Sequence, residues 1–301
     1  MKDLVVKTNR LNTATQNLSL TEVRIMQLAI VDARETGKGL SIDKPLTISA
    51  SRYSEAFSVS RQAAYEAILN AEKTLFERRF SFLDTDDRMV KSRWVQRVKY
   101  LENEASIEVI LTYDVINEIT RIDGYEDFFT QYLLEQTASM KSAYSVRLYE
   151  LLVQWKEAKK TPVLEIEIFR QQLGVERTEY SRIYDFKKNA LELAVKEINE
   201  KSDIQVSYEQ EKKGRKITGF KFKVLTKDKN SDYKKDKAAI LKMTDKQRGA
   251  FAAELAKMTE LSNLAKQGEG YKQFASRIES DLLSEKKQAF YLPYLEKLGF
   301  L

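Results

Sequence analysis

Residues 52–79 read RYSEAFSVSRQAAYEAILNAEKTLFERR, and this stretch decides the fold. Its first six residues predict a short helix, and residues 58–60 predict a tight turn. Residues 61–79 predict a long helix, because apolar residues recur there at helical spacing, at positions 64, 68, 71 and 75. A short helix, a tight turn and a long helix in this order predict a helix-turn-helix.

The neighbouring segments extend this motif on both sides. Upstream, residues 20–33 predict a helix with a wide apolar stripe, and residues 46–50 predict a short strand. Downstream, a polar turn at residues 84–88 and a second polar turn separate three predicted strands, at 80–83, 94–101 and 106–111. A helix-turn-helix that is followed by a β-hairpin predicts a winged helix.

The same order of elements recurs about 120 residues later, as expected for an internal repeat. The predicted elements are a helix at 142–158, a strand at 162–166, a short helix at 167–173 that Gly174 ends, and a long helix at 184–200. The inward positions of the long helix are Phe186, Leu191, Val195 and Ile198. Two strands, 204–208 and 217–222, flank the basic turn EKKGRK at 211–216.

This repeat predicts an α+β fold of two tandem winged-helix domains related by internal duplication, at residues 1–130 and 131–225. Residues 226–237, TKDKNSDYKKDK, predict a charged linker. Residues 238–301 predict a helical tail of unknown role. In the tail Thr244 and Gln247 fit a capping box, ahead of apolar stripes at 251, 255 and 258 and at 271, 274, 278 and 282. These helices are expected to need a partner surface.

The composition excludes several classes of enzyme. The 301 residues contain no cysteine and no histidine. Disulfides, thiolate metal sites, histidine-ligated nicking centres and Ser-His-Asp or Cys-His catalysis are therefore impossible. The glycines at 214 and 219 have phosphate-loop spacing, but Phe220 and Lys221 follow where Lys and Ser or Thr are needed. We expect no catalytic residue, no metal and no cofactor.

The charge balance favours a polyanionic partner. The formal net charge is +6 and the isoelectric point about 9.1, with the positive excess beyond residue 130. Neutralising phosphates releases counterions, which is why basic proteins bind nucleic acids. The apolar runs are too short for a membrane helix and the N-terminus lacks an apolar signal core, so a cytoplasmic protein without membrane contact is expected.

Two sets of residues are candidates for contact with double-stranded DNA. In a helix-turn-helix the N-terminal turns of the second helix enter the major groove, where Arg can bind guanine and Gln can bind adenine through paired hydrogen bonds. The candidates are Arg61, Gln62 and Tyr65 in the first domain, Arg182, Lys187, Lys188 and Asn189 in the second, and Lys212, Lys213, Arg215 and Lys216 on its wing. The alternatives are a solvated helix start in the first domain and a merely soluble turn in the second.

Other conspicuous residues have simpler interpretations. Asp84, Asp86 and Asp87 could in principle bind magnesium, but acids at a hairpin turn are usually solvated and the sequence places no further acid beside them. Trp94, Trp155 and Tyr149 fall on apolar faces and are expected in the core rather than stacked on bases.

Several motifs in order resemble the iteron-binding replication initiators of small cryptic bacterial plasmids. They are LVVK at 4–7, LSLTEVR at 18–24, SAYSVRLYEL at 142–151, the helix from Phe186-Lys-Lys to Lys196-Glu-Ile-Asn199, and the wing GRKITGFKF at 214–222. The resemblance covers roughly residues 1–225 and leaves the tail uncovered. Asn189 departs from the more basic helix start of the family, so the base preference of the second domain is not carried over.

The resemblance implies two winged helices that bind the two halves of a directly repeated origin site, in successive major grooves. It implies that the monomer opens a neighbouring AT-rich stretch and recruits host replication proteins such as the replicative helicase. It also implies that a homodimer, formed through the first domain, represses the initiator's own gene, and that the protein uses no ATP.

Two other functions are compatible with the residues. The first is a winged-helix transcriptional repressor without a replication role, which would need no partner-binding helices after its DNA-binding domains. The second is a magnesium-dependent nicking or joining enzyme that uses Asp or Glu and a tyrosine such as Tyr113.

Overall fold

The computed structural model of the chain describes residues 3–84, 86–120, 129–176, 178–227, 243–258, 261, 264 and 269–300. The chain divides into two compact units, Met1–Lys227 and Asp228–Leu301. Most of the predicted linker at 226–237 lies outside the described residues.

The first unit contains helices and strands in alternation. Its helices are α1 (Asn9–Thr13), α2 (Leu20–Thr36), α3 (Ala50–Phe57), α4 (Arg61–Thr74), α5 (Tyr113–Thr120), α6 (Glu135–Ala138), α7 (Ala143–Val153), α8 (Ile166–Gln172), α9 (Ile183–Phe186) and α10 (Glu192–Lys201). Its strands are β1 (Leu4–Thr8), β2 (Thr15–Gln16), β3 (Leu46–Ser49), β4 (Arg79–Leu83), β5 (Met89–Arg93), β6 (Val95–Leu101), β7 (Ser106–Leu111), β8 (Phe129–Leu133), β9 (Leu164–Glu165), β10 (Ile204–Lys213) and β11 (Lys216–Thr226).

The first winged helix is confirmed, with α2 and α3 longer and α4 shorter than predicted. Helix α2 begins with a capping box between Ser19 and Glu22. Helix α3, the turn and α4 form the helix-turn-helix, and β6 and β7 form the wing hairpin, which pairs with β3. The long helix predicted at 61–79 ends at Thr74, because a 3₁₀ turn at Leu75–Glu77 leads into β4 and Arg79 lies in that strand.

A second sheet in the first domain was only partly predicted. Strands β4 and β5 pair as an antiparallel hairpin, and β2 from the N-terminal segment completes the sheet. Strands β5 and β1 were not predicted; β1 pairs with β8 from Leu4 opposite Leu133 to Thr8 opposite Phe129. Such pairing joins segments far apart in sequence, which local pattern does not reveal.

The second winged helix repeats the order helix, strand, helix-turn-helix and wing. Helix α7 packs against α10, and β9, β10 and β11 form a three-stranded sheet. The predicted strand at 162–166 shrinks to β9, and the helix predicted at 142–158 ends at Val153. Phe169 packs among Phe186, Phe220 and Phe222, with ring centroids 5.6–6.2 Å from its own.

A buried cluster of charges lies between β1 and α7. Lys7 Nζ is 2.7 Å from Glu150 Oε1, and Arg147 Nη1 is 2.5 Å from Glu150 Oε2. The hydroxyl of Tyr132 donates to Glu150 Oε1 at 2.6 Å. All four side chains are buried, so removing one partner would leave an uncompensated charge away from water.

Arg147 also connects the N-terminal segment to the second helix-turn-helix. Its Nη2 donates to the carbonyl oxygens of Asn12 and Gln172, each at 3.1 Å. The Gln172 side chain in turn donates to the Thr13 carbonyl at 3.1 Å. Gly174, at φ +85°, lies so close to Gln16 that a Cβ would be 3.0 Å from the Gln16 carbonyl oxygen. The two winged helices therefore share one packed interface.

The second unit contains α11 (Asp245–Lys257), α12 (Tyr271–Asp281) and α13 (Glu285–Lys297). The capping box of Thr244 and Gln247 is confirmed. The expectation that these helices need a partner surface was wrong, because they pack against one another around a core of their own. Helix α13, which was not predicted, contributes Tyr291 and Leu295 to this core. Its other buried residues include Leu255, Phe274, Ile278 and Leu282. Tyr271, predicted in the apolar stripe, is 47% exposed.

None of the helices in the described part of the chain has both the length and the apolar character that crossing a membrane requires.

Candidate nucleic-acid interface

Helix α4 is the second helix of the first helix-turn-helix, and Ser60 caps its N-terminus. Its buried face is apolar, so the predicted contacts lie on the outward face: Arg61 and Gln62 are exposed and Tyr65 is 39% exposed. The Gln62 amide donates to Glu66 Oε1 at 2.8 Å, which holds its donor group along the helix. Arg61 and Tyr65 are four residues apart and so share one side of the helix start.

The wing of the first domain has an acidic tip. Strands β6 and β7 are joined by a 3₁₀ turn at Glu102–Glu104, followed by Ala105 at φ +47°. Both glutamates are exposed. Carboxylates repel phosphates, so this wing tip is unsuited to a DNA backbone, whereas the exposed start of α4 carries no acid in its first turn.

The second helix-turn-helix ends in a continuous helix from Ile183 to Lys201, here called recognition helix 2, in which α9 and α10 flank a π-helical segment at Lys187–Leu191. The structure places Arg182 at its N-cap position, and Arg182, Lys188 and Asn189 are exposed. Lys187 is half-buried, with its Nζ 3.8 Å from Glu192 Oε1. Three of the four predicted residues therefore have side chains open to a ligand, and Lys187 has an intramolecular partner.

The wing of the second domain is longer and its turn tighter than predicted. Residues 211–216 were expected to form a turn, but β10 extends to Lys213 and β11 begins at Lys216, so only Gly214 and Arg215 form the turn. Gly214 has φ +63°, a conformation that favours glycine. Register brings Lys213 opposite Lys216 and Lys212 opposite Ile217, with a bulge after Glu211.

The four basic residues of this wing tip, Lys212, Lys213, Arg215 and Lys216, are all exposed. None of them forms an ion pair with a residue that the structure describes. Like charges packed this closely repel each other, and an anionic partner would relieve the repulsion.

A cleft of about 890 Å³ lies beside α8, the start of recognition helix 2 and the tip of this wing. Its lining includes Ser181 and Ile183 from the helix start, Glu167 from α8, and Arg215 and Lys216 from the wing. Arg170 also lines the cleft, but it serves the fold: it donates to the carbonyl oxygens of Glu179 at 2.6 Å and Tyr180 at 3.1 Å and lies over the Phe186 ring. These bonds hold the loop that leads into recognition helix 2.

Tyr184 is an outward-facing residue that the sequence analysis missed. It occupies the first turn of recognition helix 2 and is 67% exposed. The sequence pattern that could have indicated its outward position is the apolar stripe Phe186, Leu191, Val195 and Ile198, in which the first two residues are five positions apart. An α-helix repeats every three or four residues, so a five-residue step indicates a π turn and a rotated helix start.

Two of the three acidic residues at 84–87 form ion pairs. Asp84 Oδ1 is 3.3 Å from Arg10, and Asp86 Oδ2 is 3.2 Å from Arg88. Within the residues that the structure describes, no group of three or more acidic side chains is arranged to hold a metal ion. Tyr113, proposed in the nicking alternative, is 69% exposed at the start of α5.

The aromatic residues expected in the core are mostly there. Tyr149 is fully buried, and Trp94 is 5% exposed and packs against Phe80 with ring centroids 4.6 Å apart. Trp155 is only half-buried, because α7 ends two residues before it.

Comparison with known families identifies two consecutive matches. The family model "Initiator Replication protein, WH1" matches residues 4–153, and "Initiator Rep protein, WH2" matches residues 165–224. Helix α7, which the sequence analysis assigned to the second domain, falls within the first match. The tail lies outside both.

Similar proteins and structures give a consistent picture. The chain is 24% identical over 271 residues to the PI protein of Escherichia coli, covering 79% of this chain and 88% of that protein. It is 23% identical over 174 residues to an Escherichia coli replication initiation protein, covering 56% of this chain and 52% of that protein. A crystal structure of Pi initiator protein in complex with iteron DNA has the same fold, with a TM-score of 0.62 and 22% identity, covering 76% of this chain and 98% of that one.

Proposed function

The chain belongs to the initiator replication protein family with WH1 and WH2 domains, and on that premise we propose that it binds directly repeated duplex sites at a plasmid origin and initiates replication there. One observation carries the proposal. The second domain exposes Arg182 and Lys188 at the start of recognition helix 2 and four basic residues at the wing tip, and Ile183 of the helix and Arg215 and Lys216 of the wing line the same cleft.

This arrangement fits a DNA groove. Cations at the wing tip and at the helix start suit two stretches of phosphate, and the exposed side of the helix start would then face the base edges. The fold of the Pi initiator bound to iteron DNA supports the same mode of binding. In the first domain the acidic wing tip leaves Arg61, Gln62 and Tyr65 of α4 as the DNA contacts.

The buried cluster around Glu150 and the bonds of Arg147 favour a fixed spacing between the two helix-turn-helix units. A fixed spacing suits a site whose two halves lie at a constant separation, in successive major grooves. We therefore propose that one monomer occupies one repeat.

The later steps are proposals that rest on family membership. A bound monomer opens an adjacent AT-rich stretch and recruits host replication proteins such as the replicative helicase, and a dimer formed through the first domain represses the initiator's own gene. The tail is our candidate for the host contact. Its independent core supports this role, as do exposed apolar residues such as Leu283 at 69% and Phe290 at 44%.

A footprint of the purified protein on the DNA upstream of its own gene tests the proposal, in about 150 mM salt with competitor DNA. The expected result is protection repeated in phase over several direct copies of one site. A single inverted site across the promoter would instead support the repressor. A supercoiled-plasmid assay with magnesium tests the nicking alternative, which gains support only if cleavage occurs and is lost in Tyr113→Phe or Asp84→Asn.

A further inference from the structure

We propose that Tyr184 is a specificity-determining residue, whose ring contacts a thymine 5-methyl group in the major groove. The inference rests on the proposed function, and it concerns a residue outside the predicted contacts. Its basis is the π-helical segment of recognition helix 2, which decides the direction in which the helix start points.

Leu191, at the end of the π-helical segment, and Ala194 and Ile198 of α10 are fully buried and define the inward face of the helix. In a regular α-helix, Lys187 would lie on this inward face, because it is four residues before Leu191 and two turns before Ala194. A regular helix would therefore bury a lysine and would place Tyr184 at the border of the inward face.

The π turn at Lys187–Leu191 removes this conflict. It adds one residue to a turn and rotates everything before it by about 100° relative to α10. Phe186, rather than Lys187, then takes the inward position, where it is fully buried against Phe169. The same rotation moves Tyr184 to the outward side, where it is 67% exposed.

Among the residues that the structure describes, Tyr184 has no partner that would explain an aromatic side chain. Its hydroxyl makes no hydrogen bond with any described residue, and its ring is absent from the described aromatic contacts. Tyr180, just before the helix, does have an aromatic partner, since its ring packs edge-on against Tyr144 at a centroid distance of 6.3 Å. Tyr144 also donates to Glu179 at 3.3 Å.

The surroundings of Tyr184 decide what it would meet on DNA. Lys188, one turn further along, is exposed on the same side, and Arg182 precedes the helix. Ile183, its neighbour in the chain, lines the same cleft as Arg215 and Lys216 of the wing. If these cations hold the phosphates, the exposed ring of Tyr184 at the helix start would face the base edges. In the major groove only thymine offers a methyl group, and an apolar ring is a suitable partner for it.

The test selects binding sites from random-sequence duplexes with the full-length protein and with Tyr184→Ala, Tyr184→Phe and Tyr113→Ala. Tyr113→Ala is the matched control, since Tyr113 is 69% exposed on α5 of the first domain. We expect Tyr184→Ala to lose the preference for thymine at one or two positions, and Tyr184→Phe and the control to keep it. Circular dichroism confirms that each variant is folded.

Replacing that thymine by deoxyuridine removes only the methyl group. This should weaken wild-type binding about fourfold and leave Tyr184→Ala binding unchanged. Equal weakening in both proteins overturns the inference, as does a Tyr184→Ala variant that selects the wild-type site. A uniform loss on all duplexes would assign Tyr184 to the backbone and also refute it. If wild-type protein enriches no sequence at all, the proposed function itself fails.

Discussion

Lys213 lies directly opposite Lys216 in the wing of the second domain, separated by the two-residue turn of Gly214 and Arg215. Two like charges at opposed strand positions oppose pairing, yet no described acid neutralises either of them. The two ammonium groups therefore repel each other in the free protein. A bound phosphate would reduce this repulsion, so DNA binding should stabilise the wing.

Replacing Lys213 by Ala should stabilise the free protein slightly, by about 0.2–0.5 kcal/mol, because the repulsion disappears. It should weaken binding to all DNA sequences and reduce the slope of log affinity against log salt by about 0.9 per lost phosphate contact. Denaturant unfolding and binding titrations at several salt concentrations measure both effects. Lys221→Ala, which removes a lysine that lies opposite Glu209 on the same hairpin, is the control. An unchanged salt slope would remove the wing from the interface.

Arg61→Ala should change base preference and leave the affinity for non-specific DNA nearly unchanged, because this side chain lies at the outward start of α4. Site selection with the variant should show altered preference at one or two base pairs, with a loss of about 1–3 kcal/mol on the wild-type site. Arg88→Ala, at the β4–β5 turn, is a control of equal charge change. An unaltered base preference would contradict the assignment of α4 to the major groove.

Glu150→Gln should destabilise the first unit by about 3–5 kcal/mol, because Lys7 and Arg147 would stay buried without their anion. Urea unfolding at neutral pH measures this. Glu104→Gln, on the exposed first wing tip, is the control and should change stability little. A similar small change for Glu150→Gln would show that the buried charges do not depend on this carboxylate.

The same cluster should make the fold acid-sensitive. Burial by itself raises the pKa of Glu150, but the charges of Lys7 and Arg147 and the hydrogen bonds from Lys7 and Tyr132 outweigh it and hold the pKa at about 2, below the ordinary 4.5. A group whose folded pKa is lowered contributes stability above its unfolded pKa, and this contribution is lost as the pH falls from about 4.5 to about 2. Unfolding free energies measured across this range should fall more steeply for wild type than for Glu150→Gln. Parallel curves would disprove the link.

A chain that ends at Lys227 should fold and bind DNA with wild-type affinity, because the tail has its own core and lies outside both family matches. It should nevertheless fail to maintain a plasmid in cells, since we assign the host contact to the tail. Footprinting and a plasmid-maintenance assay separate the two activities. Normal maintenance by the shortened chain would discard that assignment.

The sequence by itself determined both winged helices and the capped start of the tail. These are local features, because the apolar stripe of a helix, a polar turn and the alternating pattern of a strand each lie within a few tens of residues. The helices and strands bury the apolar faces that these patterns mark. The basic wing and the exposed start of α4 follow from the same local pattern.

Only the tertiary structure decided how these parts are joined. Strand β1 pairs with β8, and Lys7 meets Glu150, across more than a hundred residues, so neither contact leaves a local pattern. The outward position of Tyr184 depends on a π turn that lets Phe186 and Leu191 both pack inward. Among the possible arrangements of distant segments, the one that buries more apolar surface and pairs its buried charges has the lower free energy. Local sequence patterns contain no information about contacts between distant segments, so they do not predict which arrangement forms.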